Sequence, residues 1–192
     1  MTAVTIIGTG AMANSIGGVF ATAGANVSYV SHGEIASAPI EGEIVVLAVP
    51  YPAVAEIIST RGEQLAGKTV VDITNPLNFE TFDELVVPAA SSAAAEIQKA
   101  LPNSSVLKAF NTTFAATLAS GTVGELTTTV LVAGDDDAAK SALVDLVVKG
   151  GLQGVDAGAL SRARELEAIG FLQLTLAVGE KVAWTGGFGL VR

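Results

Sequence analysis

The sequence predicts an α/β fold: a mostly parallel sheet with helices on both faces and a long C-terminal helix. Three observations lead there. Short β-branched runs alternate with stretches of helical periodicity. The strand runs are apolar throughout, as expected for strands covered on both faces. Beyond about residue 159 the pattern stays helical.

"AVTIIG" (3–8) is the first strand, running straight into glycines. A helix follows over about 12–23, where Ile16, Val19, Phe20 and Ala23 share one face and Gly24 is placed to end it. "NVSYV" (26–30) is the second strand. The segment "SHGEIASAPIEG" before "EIVVLAVP" (43–50) is too short for a full crossover helix, so a turn or single-turn helix is expected. A helix from about Ala53 precedes "TVVDITNP" (69–76), a strand that stops at an Asn-Pro turn. Residues 77–91 read as irregular loop. A helix over 92–100 leads to the strand "SVLKAFN" (105–111), then a polar loop, then "TTTVLVAG" (127–134). "DDDAAKSALVDLVVKG" starts acidic and ends basic, which suits a helix dipole. "LQGVDAG" (152–158) is a short strand, and 159 to about 183 a long helix.

Length and composition bound the function. A chain of 192 residues that is half hydrophobic and 15% charged folds as a core-forming domain with room for an appendage. We divide it into a dinucleotide-binding domain over 1–158 and a C-terminal helical segment over 159–192, which packs on that domain or forms a dimer interface. No cysteine is present and one histidine is, which excludes disulfides and leaves few zinc ligands. A net charge of −9 argues against a nucleic-acid binder. The apolar runs are far shorter than the roughly 20 residues of a membrane span. The N-terminus lacks a basic signal-peptide region, so the cytoplasm is the expected location. All ten basic residues lie from Arg61 onward.

The motif that carries chemistry is "GTGAMA", Gly8 to Ala13, a G-x-G-x-x-A turn between the first strand and helix. Gly8 permits the tight turn, Thr9 lies in the loop, Gly10 lets the backbone approach a pyrophosphate, and Ala13 allows close helix–strand contact. Ala11 and Met12 open the helix whose N–H groups face the anion. This is the signature of a Rossmann-like fold; the bland reading is a tight βα turn with no nucleotide. At the end of the second strand, an acid would hold a free ribose and a basic residue a 2'-phosphate. The sequence offers Ser31, His32 and Glu34 there, leaving NADP and NAD both open. Further strand ends supply Val49, Pro50 and Tyr51 as an apolar wall for a nicotinamide. Asn75 and Asn111 offer amides for ribose or carboxamide, against the alternative that they only cap turns. Tyr51, His32 and Glu165 are acid–base candidates by type alone. Hydride transfer between stacked rings needs orientation and exclusion of water more than a proton donor.

"VTIIGTGAM", "VVLAVPYPAV", "VVDITNP", "KAFNTTFA", "TVLVAGDD" and "DAGALSRARELEAIGF" together resemble the NADPH-dependent oxidoreductases related to the enzyme that exchanges hydride between NADP and a deazaflavin coenzyme, the F420-type reductases. The reductase domains of membrane metalloreductases are similar. The resemblance implies NADP(H) as coenzyme and a deazaflavin or flavin as hydride partner. It places Thr9, Ser31 and His32 at the 2'-phosphate, where the family usually has arginine in the last position. Pro50 and Tyr51 fall beside the nicotinamide ribose, and Tyr51 and Asn111 near the hydride-transfer cleft. Ala157 and Leu160 fall in its far wall. It also implies a homodimer through the C-terminal helix, whose stripe Leu166, Ile169, Leu172 and Leu176 equally suits packing on the protein's own sheet. The expected function is therefore an NADP(H) oxidoreductase acting on a small conjugated acceptor. The alternatives are a non-catalytic nucleotide-binding module and a reductase of a small carbonyl, imine or hydroxy acid.

Overall fold

The structure, a computed structural model, describes residues 1–191. Its centre is a seven-stranded sheet. β1 (Ala3–Ile7) pairs in parallel with β2 (Asn26–Val30) on one side and β3 (Ile44–Leu47) on the other. β4 (Thr69–Asp72) and β5 (Ser105–Lys108) extend the parallel run. β6 (Thr122–Val123) and β7 (Leu126–Thr127) form a separate small hairpin. β8 (Thr129–Gly134) returns antiparallel to β5, and β9 (Gln153–Gly158) lies parallel to β8, giving the order β2-β1-β3-β4-β5-β8-β9.

Two apolar layers cover this sheet. On one face lie α1 (Ala11–Thr22), α4 (Ala115–Ser120) and α5 (Asp137–Lys149), through Ile16, Phe20, Leu118, Leu143 and Val147. On the other lie α2 (Tyr51–Leu65), α3 (Ala93–Ala100) and the start of α6 (Ala163–Val178), through Val54, Ile57, Ile97 and Ala163. β1 and β3 are neighbours, yet their following helices leave to opposite faces. A crevice therefore opens at their carboxyl ends, the place where such sheets bind ligands.

The expected elements appear with shifted bounds. The β2–β3 connection does hold a single 3-10 turn, His32–Glu34. Arg61 explains how so short a connection stays in place: its guanidinium is buried and donates to Ile35 O, Ala38 O and the Gln64 side chain. Two expectations change. The polar loop after β5 contains α4 and the β6–β7 hairpin, with Gly121 in the left-handed region ending α4. The C-terminal helix is interrupted near its start by a 3-10 turn (Leu160–Arg162) and stops at Val178, not at about 183, because Gly179 caps it and Glu180 turns to positive φ.

Candidate active site

Backbone pairing gathers the strand ends. Gly8 N donates to Val30 O at 2.9 Å and Ala48 N to Ile7 O at 2.9 Å, so the glycine loop lies between Ser31 and Val49. Gly8 has φ +123°, and a Cβ there would meet Ala48 O at 2.2 Å. The chain itself requires that glycine. Gly10 differs: its φ is an ordinary −74°, and a Cβ would meet no atom of the described residues within 4 Å. No side chain caps α1, and its first turn holds no acid. The first-turn N–H groups and the positive end of the dipole thus face an open cradle that a Cβ at Gly10 would begin to fill. This fits a dinucleotide pyrophosphate.

At the β2 end the three polar residues sort themselves. Glu34 folds back, its carboxylate accepting from Ser31 N at 3.1 Å and from the Ser31 hydroxyl. These two bonds hold the Glu34 carboxyl below the usual carboxylate range. His32 and Glu34 are both exposed, with Ser31 half-buried. Arg61, the first basic residue of the chain, is engaged with the loop carbonyls on its far side.

Across the crevice, Pro50 caps α2 and Tyr51 begins it. Burial first, then the negative charges of Glu96, Asp72 and Glu167, push the Tyr51 hydroxyl up from its ordinary value. Tyr51 lines a groove with Glu96 and Ile97, separate from the cleft that holds the asparagines. That cleft, about 420 Å³, is lined by Met12 from the glycine loop, Ile73, Asn75, Asn111, Thr113, Phe114, Leu174 of α6 and Trp184. Phe114 and Trp184 pack with ring centroids 4.9 Å apart.

The two asparagines form one unit. Asn75 Nδ2 donates to Asn111 O at 2.9 Å; Asn111 Nδ2 donates to Asn75 Oδ1 at 2.9 Å and to Leu166 O at 2.8 Å. With both amide hydrogens of Asn111 on acceptors, its Oδ1 is the free atom, buried and without a partner among the described residues. A buried acceptor left unmade is costly, so a ligand N–H, such as a carboxamide, suits it. Gly170 lets α6 come this close, because a Cβ there would meet Asn75 Oδ1 at 2.2 Å.

Beneath the pair lies a buried ionic cluster. Lys108 Nζ reaches Asp72 Oδ2 at 2.8 Å and Glu167 Oε1 at 2.9 Å, and donates to Thr74 O. Glu167 also accepts from Ala93 N at 2.9 Å and Ala94 N at 3.3 Å, at the start of α3. Burial outweighs these attractions and raises the Glu167 carboxyl above its ordinary value. The cluster ties α6 and α3 to β4 and β5 and sets the height of the Asn75 turn. Glu165, by contrast, is exposed beside Arg162 and Arg164. Sequence reasoning missed Lys108, Glu167, Phe114 and Trp184. For the last, a lone tryptophan in a glycine-rich tail was the available signal.

The family model for coenzyme F420-dependent NADP oxidoreductases matches residues 30–76, from the end of β2 through the Asn75 turn. An F420-dependent NADP reductase of Methanocaldococcus jannaschii is 33% identical over 150 residues, covering 76% of this chain and 67% of that protein. The chain belongs to this family. The metalloreductase STEAP3 of Rattus norvegicus is 35% identical to this chain over 107 residues. That match covers 56% of this chain and 21% of the metalloreductase. A structure from Arthrobacter sp. FB24, assigned as an F420-dependent NADP reductase, superposes over 100% of both chains with TM-score 0.82 at 24% identity, a likeness of fold.

Proposed function

We propose that the protein binds NADPH along the glycine loop and exchanges hydride with a planar conjugated acceptor, a deazaflavin or flavin, in the cleft beside Asn75 and Asn111. One observation carries this reading: none of the residues lining that cleft is ionisable. Reduction of a carbonyl, imine or hydroxy-acid pair would need a positioned proton donor. A conjugated ring takes hydride and obtains its proton from water.

Bound NADPH supplies the hydride and leaves as NADP⁺. The chain's residues bind and orient. Gly8 to Ala13 (Gly8, Thr9, Gly10, Ala11, Met12, Ala13) hold the pyrophosphate, with Thr9, Ser31 and His32 toward the 2'-phosphate. Val49 and Pro50 flank the nicotinamide end, with Tyr51 next to them facing its own groove, and the Asn111 Oδ1 receives a ligand N–H. Met12, Ile73 and Leu174 exclude water from the space between the two rings.

The expected assembly is a homodimer through α6, in the cytoplasm. Support for the dimer is the outward face of α6, where Ile169, Leu172 and Val178 are exposed while Leu166 is buried against the protein's own core. No helix of the described residues is long and apolar enough to cross a membrane.

Calorimetric titration of nucleotide-free protein with NADPH and NADH, followed by NADPH oxidation with coenzyme F420, tests the reading. NADPH should bind at least about tenfold tighter, a gap of about 1.4 kcal/mol, and F420 should be reduced. Equal or tighter NADH would overturn the NADP assignment. Binding of neither would remove the coenzyme role of the glycine loop.

A further inference from the structure

The cleft has two unlike walls. Met12, in the first turn of α1, and Ile73, just past β4, line it from the proposed coenzyme side. The same cleft is lined by Trp184, from the tail after α6, leaning on Phe114 with ring planes at 54°. Phe114 is 7% exposed and Trp184 51%. Large aromatic rings gain most of their stabilisation from covered faces. Trp184 keeps about half of its surface exposed and lines the cleft.

The tail is not loosely laid there. Gly186 N donates to Ala183 O at 2.8 Å, closing a turn around Trp184. Phe188 N donates to Gln173 Oε1 at 3.2 Å, and Gln173 is 1% exposed within α6. Gly187 lies so near that a Cβ would come within 3.1 Å of that same oxygen. A buried amide on α6 therefore anchors the segment that carries the indole.

We propose that Trp184 is the surface on which the acceptor's conjugated ring stacks, with Gln173 as the positioning residue that holds the tail. The inference rests on the oxidoreductase reading and assigns the acceptor half of that site. Stacking on an indole recognises a flat polycyclic ring by its π face and gives little hold on a small carbonyl compound. The site thus selects its acceptor by shape, through a residue outside the dinucleotide motif.

The test separates acceptor from coenzyme. Trp184→Ala, Trp184→Phe and Gln173→Ala are compared with the unaltered protein for NADPH affinity by calorimetry and for the KM of coenzyme F420 in steady-state turnover. Trp184→Ala and Gln173→Ala should raise that KM by about tenfold, the loss of one stacked face, with NADPH affinity within about twofold of the unaltered value. Trp184→Phe should recover most of the loss. An unchanged KM in Trp184→Ala overturns the proposal. So does a matching loss of NADPH affinity, which would put the indole on the coenzyme side. If the unaltered protein fails to bind NADPH, the oxidoreductase reading fails first, and the calorimetry records that separately.

Discussion

Gly8 and Gly10 look alike in the sequence and differ in what they answer to. Gly8 satisfies the chain, with a backbone conformation closed to side chains and a carbonyl at its shoulder. Gly10 meets no protein atom where its side chain would be. Gly10→Ala should therefore unfold at a denaturant midpoint close to the unaltered protein, while its NADPH affinity falls by at least about tenfold, read by calorimetry. Equal losses of stability and affinity would show that the glycine is structural. His32→Ala should narrow the preference for NADPH over NADH without altering NADH affinity, measured in the same titrations. The glycine motif was legible because its demands are local: a turn, a close approach, a helix start. The neighbouring Ser31–Glu34 pairing was not, because it depends on how a shortened loop closes. Glu34 entered as a possible ribose ligand and instead caps Ser31 in the free protein.

At the scale of elements, α6 is held by charge as well as by apolar contact. Its Glu167 joins Asp72 and Lys108 in a cluster with no side chain more than 1% exposed. Lys108→Ala would leave two buried carboxylates without their cation, a loss of about 3–5 kcal/mol, measured by urea unfolding. Glu167 also gives a pH signature. Its folded carboxyl titrates above its ordinary value of 4.5, so as pH rises past that value the unfolded chain releases its proton first. Stability should fall across that window until the folded carboxyl ionises too, and Glu167→Gln should remove that part of the slope. The parallel strands and most helices were legible from their continuous apolar runs and period. α4 and the β6–β7 hairpin were not, since a six-residue helix and two-residue strands are too short to make a periodic pattern. The ionic cluster was hidden for another reason. Lys108 and Glu167 lie in different elements, and nothing local marks either as buried.

For the whole molecule, the two faces of the sheet are unequal in what they leave to solvent. The face bearing α6 presents Leu172 at 53% exposure and Val178 at 47%, on a helix already anchored from beneath. A second copy packed there would bury them. Light scattering should give twice the chain mass for the unaltered protein, and Leu172→Lys should shift it toward the single mass while preserving NADPH binding. A single mass for the unaltered protein would reject the dimer. That a helix follows the last strand was readable from where the strand runs cease. The contribution of the tail to the cleft was not, because that contact spans from residue 114 to residue 184.

One helix spans both ends of the proposed coenzyme path. α2 begins at Tyr51, beside the proposed nicotinamide position, and carries Arg61, whose guanidinium grips the loop just beyond Ser31 and His32. Under the proposed placement, Arg61 acts on the 2'-phosphate end without belonging to it. Loosening its grip on the loop should shift coenzyme preference while every proposed contact residue stays unchanged.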